Sequence, residues 1–348
     1  MAEKMLAVLK KEKSPGAEID YVEVPRIKPD MVLVKVKACS ICGTDLHIYN
    51  WDKWAQGRIK PPMIFGHECA GEVVEAGSEV KRAKVGDFVS AETHIPDQTC
   101  YQCRTGKMHI CKNLKILGVD TNGAFAEYLA IPDICVWKND KSLPAEIATI
   151  QEPFGNATYT VMESNVSGKV IAIFGDGPIG CFATGIARAV GAAKIYAVGE
   201  FPFRVELLKK MGADVALSIQ KENAVEVIMD QTSGEGVDVV LEMTGVQKAI
   251  EDGFKILKKG GTFTAFGIPS DKILFDLSNN VIFKGAKIIG INGRLMFDTW
   301  YQLSNLLNNK LVDPTPVITH KFPLKDFQKG FDALLSPTKE CGKVVLYP

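Results

Sequence analysis

The sequence has no net charge to spare: 41 Lys and Arg face 41 Asp and Glu, a formal balance of +0 over 348 residues. Without an excess of one sign there is no whole-protein field to hold a phosphate backbone or an anionic bilayer, so neither nucleic acid nor membrane is expected as a partner. Also missing is any run of about 18 uninterrupted apolar residues that would span a bilayer. The N-terminal stretch MAEKMLAVLKKEKSPG breaks its one short apolar patch with charges, unlike the continuous apolar core of a secretory signal. The expected location is therefore the cytoplasm. Internal repeats and low-complexity tracts are absent as well. Nine cysteines are an odd number, and thiols in a reducing compartment are poor disulfide candidates. Their clustering, not their number, has to explain them.

What is present is ordinary globular composition, 46% hydrophobic and 24% charged, in a chain long enough for about two domains at roughly 150 residues each. From Met5 to about Phe154, short β-rich runs such as MVLVKVKA, CAGEVVEAG and VGDFVSAE are separated by Gly, Pro and Asp, the pattern of an irregular β-barrel-like domain. After Asn156 the rhythm changes. Apolar strands (VIAIFG, KIYAVGE, DVALS, VDVVLEMTG, TFTAFG) alternate with helical stretches (IGCFATGIARAVGA, RVELLKKMGA, ENAVEVIMDQT, QKAIEDGFKILKKGG). Such alternation predicts an α/β domain of the Rossmann type, a doubly wound parallel sheet. A helix (WYQLSNLLNN) and a closing strand (KVVLYP) then suggest a return to the first domain. The expected division is 1–154 for the first part of the β-rich domain, 155–293 for the nucleotide-binding domain and 294–348 for the return.

Strand VIAIF runs into Gly175-Asp176-Gly177-Pro178-Ile179-Gly180 and then into a helix, the context that a G-x-G-x-x-G motif requires. Gly175 permits the tight turn, Gly177 lets the backbone approach a pyrophosphate, and Gly180 lets the helix pack on its strand with its N-terminus toward the phosphates. Ile179 is expected beside the cofactor. An acid about 20 positions on is expected at the ribose hydroxyls, and Glu200 ends KIYAVGE where one is needed.

Two clusters carry metal chemistry. In the first, Cys42, Thr44 and His47 lie within one short segment, followed by Gly66-His67-Glu68 and, much later, by Glu152 in QEPFGN. Thiolate, imidazole and carboxylate are zinc ligand types, and three of them with one exchangeable position make a catalytic site. Zinc there would lower the pKa of a substrate alcohol, with Thr44 and His47 spaced to pass the proton outward. Taken singly, Cys42 and His67 would read as a buried thiol and a satisfied core histidine. The second cluster, Asp97-x-x-Cys100-x-x-Cys103-x7-Cys111, sits in a loop with little apolar content and reads as a closed structural zinc site, with Asp97 where a fourth thiolate would stand.

The segments ICGTDLHIYNWDKWAQGRIKPPMIFGHE, ETHI, QEPFGNATYT, GDGPIG, IFKGAKIIGINGR, DTWY and ITHKF together resemble the zinc-dependent medium-chain L-threonine 3-dehydrogenases over nearly the whole chain. CGTDxHIY and GHE occur widely in zinc alcohol and polyol dehydrogenases, whereas HIYNWDKWAQ, EPFGNA and GINGR...TWY look particular to the threonine enzymes. The resemblance implies a GroES-like catalytic domain in which Cys42, His67 and Glu68 hold zinc, Thr44 and His47 form a charge relay, Glu152 assists proton transfer or approaches the metal, and His94 lies near the substrate. It further implies that Ile179, Arg204, the Phe266-Gly267-Ile268 strand end and the Gly290-Ile291 turn line an NAD site, and that the enzyme is a homotetramer. The family's ribose-binding acid aligns with Gly199, one residue before Glu200, and its structural zinc lobe has a cysteine at the place of Asp97. The implied reaction is NAD-linked oxidation of L-threonine at its 3-hydroxyl to L-2-amino-3-oxobutyrate. The alternatives are the same chemistry on a polyol or 2,3-butanediol, and a non-catalytic nucleotide-binding relative, against which the intact Cys42, Thr44, His67 and Glu68 argue.

Overall fold

A computed structural model describes residues 3–348. The chain forms two compact units: one runs to Glu152 and takes in Ile318–Pro337 and Lys343–Pro348, and the other comprises Pro153–Val317 with Thr338–Gly342. No helix among the described residues is long and apolar enough to cross a membrane.

In the first unit a seven-stranded sheet is organised around β1 (Met31–Ser40). In its middle the buried Val34, Val36 and Ala38 alternate with the exposed Lys35 and Lys37, a period-two pattern, while at its ends Leu33 and Cys39 are buried on the lysines' face as well. β1 pairs antiparallel with β2 (Glu68–Ala76), which pairs in turn with β3 (Phe88–Ala91). β4 (Tyr128–Pro132) also pairs with β1, and β5 (Val136–Lys138) closes on β3. On the other side of β1 lies the last strand of the chain. The register sets Ser40 opposite Glu68 of β2 and opposite Val345 of that last strand, so residues distant in sequence meet at the C-terminal end of β1. The chain leaves β1 directly into helix α1 (Gly43–Asn50), whose N-cap is Cys42.

The second unit carries a six-stranded, all-parallel sheet. Its strands are β6 (Val170–Phe174), β7 (Lys194–Gly199), β8 (Val215–Ser218), β9 (Val237–Glu242), β10 (Leu257–Ala265) and β11 (Lys287–Gly290). The order β8-β7-β6-β9-β10-β11 is that of a doubly wound nucleotide-binding sheet, as the alternation of strand and helix predicts. Phe174, Tyr196, Val198, Val240, Phe254 and Phe263 anchor its core. Helices α2 (Gln151–Glu163), α3 (Pro178–Ala189), α4 (Pro202–Lys210) and α5 (Gln247–Ile256) follow in chain order.

Two expectations shift. The helix expected over QKAIEDGFKILKKGG stops at Ile256, because Leu257 is buried in the sheet core and pairs with Val237, committing LKKGG to β10. The return to the first unit comes at Ile318 rather than 294. Residues 294–317 stay with the second unit, where Arg294 and, from α6 (Asp298–Asn308), Leu303 close over Gly155 of α2: a Cβ there would lie 2.7 Å from Arg294 Cδ and 3.2 Å from Leu303 Cδ2. Amphipathic periodicity in WYQLSNLLNN shows that one face is buried, not which partner buries it. The chain then closes the first sheet with β12 (Ile318–Pro323) and β13 (Lys343–Tyr347), which flanks β1.

Candidate active site

The end of β1, the start of α1 and the start of β2 bring Cys42, His67 and Glu68 together, each offering one ligand atom, all within 4.8 Å of one another. The neighbouring thiols are a different case. Cys39 and Cys69 face each other across β1 and β2, and burial pushes both up, Cys69 to about 12, so they stay protonated and are poor ligands. Asp45, buried in the first turn of α1, accepts the Cys42 amide at Oδ2 (2.8 Å) and points Oδ1 at His67 Nδ1, 3.6 Å away. Neither of those two atoms has a hydrogen-bond partner, although both are buried. Such a pair fits a metal site: a ligated imidazole almost always has its second nitrogen held by a carboxylate, a backbone carbonyl or water, and Asp45 is the carboxylate placed to do so. Burial works against a charged His67, but Asp45 and then Cys42 outweigh it and hold its pKa well above the ordinary value. Glu68 is gripped from the other side, accepting from Lys343 Nζ at Oε1 (2.5 Å) and from Ser40 Oγ at Oε2.

Around this cluster the expected proton-handling residues fall at graded depths. Thr44 Oγ1 lies 3.9 Å from Cys42 Sγ. His47, one turn further along α1, is exposed, and its Nδ1 is 2.5 Å from Asp52 Oδ2. His94 is buried, with Nδ1 2.7 Å from Glu92 Oε1. Glu152 is buried too; Thr93 Oγ1 donates to it at 3.3 Å, and its charge acts on both Glu68 and Lys343, but it does not join the three-residue ligand group.

In the second unit a cavity of about 870 Å³ opens where the strand order reverses between β6 and β9. It is lined by Gly175, Asp176 and Gly177 after β6, Gly199 and Glu200 after β7, and Met243 and Thr244 after β9. A Cβ at Gly180 would sit 2.0 Å from the Gly175 carbonyl oxygen, so α3 packs against the turn only with glycine there, while nothing lies within 4 Å of the corresponding point at Gly177. That open cradle at a helix N-terminus fits a dinucleotide pyrophosphate. Arg204 sits beside Asp176, and Phe266 and Gly267 donate their amides to the Glu242 carbonyl just past β10. Arg204, Phe266 and Gly267 stand outside the cavity lining, as do Ile179, Ile268, Gly290 and Ile291, Ile268 being 91% exposed.

Two family models match the chain. Residues 28–141 match the alcohol dehydrogenase GroES-like domain and residues 178–309 match the zinc-binding dehydrogenase domain. L-threonine 3-dehydrogenase of Bacillus velezensis is 50% identical, with 100% of both chains covered, and that of Pyrococcus horikoshii is 48% identical over 99% of each. The chain belongs to the L-threonine 3-dehydrogenase family. Among solved structures, the 2R,3R-butanediol dehydrogenase of Bacillus subtilis superimposes with a TM-score of 0.90 at 29% identity, over 99% of each chain. A zinc-binding dehydrogenase of Sinorhizobium meliloti bound to NADP gives 0.91 at 26%, over 100% of each.

The loop cluster also assembles, with Asp97, Cys100, Cys103 and Cys111 each presenting a ligand atom within 4.8 Å of the others. Cys100 Sγ lies 3.5 Å from Cys103 Sγ and 3.7 Å from Cys111 Sγ, and none of the nine cysteines is in a disulfide. The Asp97 and Asn113 amides donate to Cys111 Sγ at 3.3 and 3.4 Å. Asp97 is itself held far below the usual carboxylate range by the amides of Cys100 and Thr99 and by the Asn113 side chain, so it is available as an anionic donor. The donor set fits zinc.

Three residues escaped the sequence reading: Lys343, Asp45 and Asp176. Lys343 is the first residue of an unremarkable apolar strand, Asp45 sits inside the CGTD motif without an obvious task, and Asp176 stands at a variable position of the glycine turn. For the last, the signal was the glycine at 199.

Proposed function

We propose that this protein oxidises L-threonine at its 3-hydroxyl to L-2-amino-3-oxobutyrate, with Cys42, His67 and Glu68 holding a catalytic zinc ion and NAD seated against the Gly175–Gly180 turn. The full-length identity to L-threonine 3-dehydrogenases carries the substrate assignment, and the ligand cluster beside Thr44 carries the chemistry. When bound, zinc supplies Lewis acidity toward a substrate hydroxyl and the nicotinamide accepts a hydride. The chain's own residues do the rest. Asp45 fixes the His67 ring, Thr44 receives the hydroxyl proton at Oγ1, and His47, exposed and paired with Asp52, passes it to water. His94, steadied by Glu92, borders the substrate, and the buried Glu152 carboxylate assists proton transfer. The lobe of Asp97, Cys100, Cys103 and Cys111 holds a second, structural zinc ion and stiffens a loop with little core of its own. The active form is a homotetramer in the cytoplasm.

The second reading, a vicinal diol as substrate, is favoured by the likeness to the butanediol enzyme. Rates of NADH formation from L-threonine, sorbitol and 2,3-butanediol, with and without added zinc, separate the two. Threonine should be preferred, and a higher kcat/KM on either diol would reverse the assignment. Cys42→Ser and His67→Ala should each abolish turnover while NAD binding persists. Retention of more than about a tenth of the activity, a loss under ~1.4 kcal/mol, would remove these residues from the metal site.

A further inference from the structure

In a doubly wound sheet, the acid that reads the adenosine ribose usually stands at the end of the second strand, here the end of β7. That place is Gly199, and it is already filled. A Cβ on Gly199 would lie 2.6 Å from Asp176 Cβ and 2.9 Å from Asp176 Oδ2. The side chain of Asp176, coming from the glycine turn after β6, therefore occupies the volume that a strand-end acid would take, and the two positions cannot both carry a side chain.

The carboxylate is held firmly. Asp176 Oδ2 accepts the amides of Glu200 (2.8 Å) and Phe201 (2.9 Å), at the entrance to α4. Oδ1 has no such partner; its nearest cation is Arg204 Nη1 at 3.9 Å, beyond hydrogen-bond reach, while Arg204 Nε is committed to the Cys341 carbonyl at 2.9 Å. Asp176 thus presents one anchored oxygen and one that can still accept, inside the cavity wall. Glu200 lines the same cavity but is exposed, and its amide rather than its carboxylate is what the structure fixes.

We propose that Asp176 is the residue that selects NAD over NADP: Oδ1 accepts from the ribose hydroxyls of NAD, and the fixed negative charge repels a 2′-phosphate while neutralising Arg204, the cation that would otherwise receive it. The recognition carboxylate has moved from strand end to glycine turn, and Gly199 is the vacancy that permits the move. Glu200 becomes a bystander. This inference rests on the nucleotide-binding reading of the cavity, and the experiment keeps the two apart.

Dissociation constants for NADH and NADPH are measured by nicotinamide fluorescence in the wild type, Asp176→Asn, Glu200→Ala and the exchange variant Asp176→Gly/Gly199→Asp, which leaves only one of the two positions with a side chain. Asparagine keeps an oxygen for the two amides and removes only the charge. The wild type should favour NADH; Asp176→Asn should move the ratio toward NADPH by about ten-fold or more, and Glu200→Ala should move it by less than about two-fold. The exchange variant should regain NADH preference relative to Asp176→Asn. A ratio unmoved in Asp176→Asn, or moved instead by Glu200→Ala, overturns the assignment although the cavity still binds nucleotide. Failure of the wild type to bind either cofactor overturns the nucleotide reading itself, and the inference with it.

Discussion

Lys343 Nζ and Glu68 Oε1 lie 2.5 Å apart with both side chains buried, although 275 residues separate them in sequence. The lysine also donates to the Ile41 carbonyl at 2.9 Å, so its ammonium bridges the end of β1 and the metal-ligand cluster. Burial works against its charge, but Glu68 and then Cys42 outweigh it and raise its pKa. The cation therefore persists beside Glu68, whose own pKa burial pushes up and Lys343 pulls back down, so the lysine is what favours the charged carboxylate in this dry site.

Removing one partner of such a pair leaves the other charge buried and uncompensated, a loss of about 3–5 kcal/mol. Lys343→Met should lower the unfolding free energy measured in urea by that order, and Lys343→Met with Glu68→Gln should recover a substantial part of it. A single variant within ~1 kcal/mol of wild type would show that the pair is not ionised in the folded protein.

Asp45 supports the metal site at one remove. Asp45→Asn keeps an oxygen for the Cys42 amide but loses the carboxylate facing His67, and loss of such a partner typically weakens metal affinity or activity about 10–100-fold. Zinc affinity of the variant, measured by chelator competition, should fall within that range with the fold intact. An affinity within about two-fold of wild type would mean that the His67 ring is oriented by packing alone.

The parts legible in the sequence are those that need particular residue types at short spacing. Cys42, the His67-Glu68 pair and the Gly175–Gly180 turn could be read because their chemistry is local. Lys343 could not, since a lysine opening an apolar strand looks like any edge cation until the sheet register sets that strand beside β1. Asp176 was hidden for the opposite reason. It stands inside a recognised motif at a position the motif leaves free, and only the space missing at Gly199 reveals its task. The assignment of 294–317 failed because Arg294 and Leu303 close over Gly155 of α2, a choice of partner that periodicity does not encode.

The lobe around Cys100 allows a test by gain. A carboxylate is a less thiophilic donor than a thiolate, so Asp97→Cys should raise zinc retention and thermal stability, while activity hardly changes. The substitution also deletes Oδ1, the one oxygen that receives both the Thr99 and Cys100 amides, so without metal the variant should be the less stable protein. Unchanged zinc stoichiometry, with the variant melting below wild type by the same amount with and without metal, would show that the lobe does not bind metal.

Acid stability should depend on a pair far from the reacting atoms. Arg58 holds Asp120 through two hydrogen bonds, Nε to Oδ1 at 2.9 Å and Nη2 to Oδ2 at 2.6 Å, and the Ile116 amide adds a third at 2.8 Å. Burial alone would raise the Asp120 pKa, but Arg58 and then that amide outweigh it and bring it below the ordinary 3.8. A carboxylate whose folded value is depressed binds fewer protons folded than unfolded across that interval. Its contribution is therefore complete above the ordinary value and is lost as pH falls through the lower folded value. Asp120→Asn keeps an oxygen for the Ile116 amide and removes the charge. Because the pair is partly solvated, the gap between wild type and variant should be no more than about 1 kcal/mol near pH 7. It should narrow toward zero below about pH 3, and 1 M salt should shrink it at neutral pH. Urea midpoints at pH 7 and pH 3 read both numbers directly. A gap of equal size at the two pH values would assign the stability to hydrogen-bond geometry rather than to the Asp120 charge.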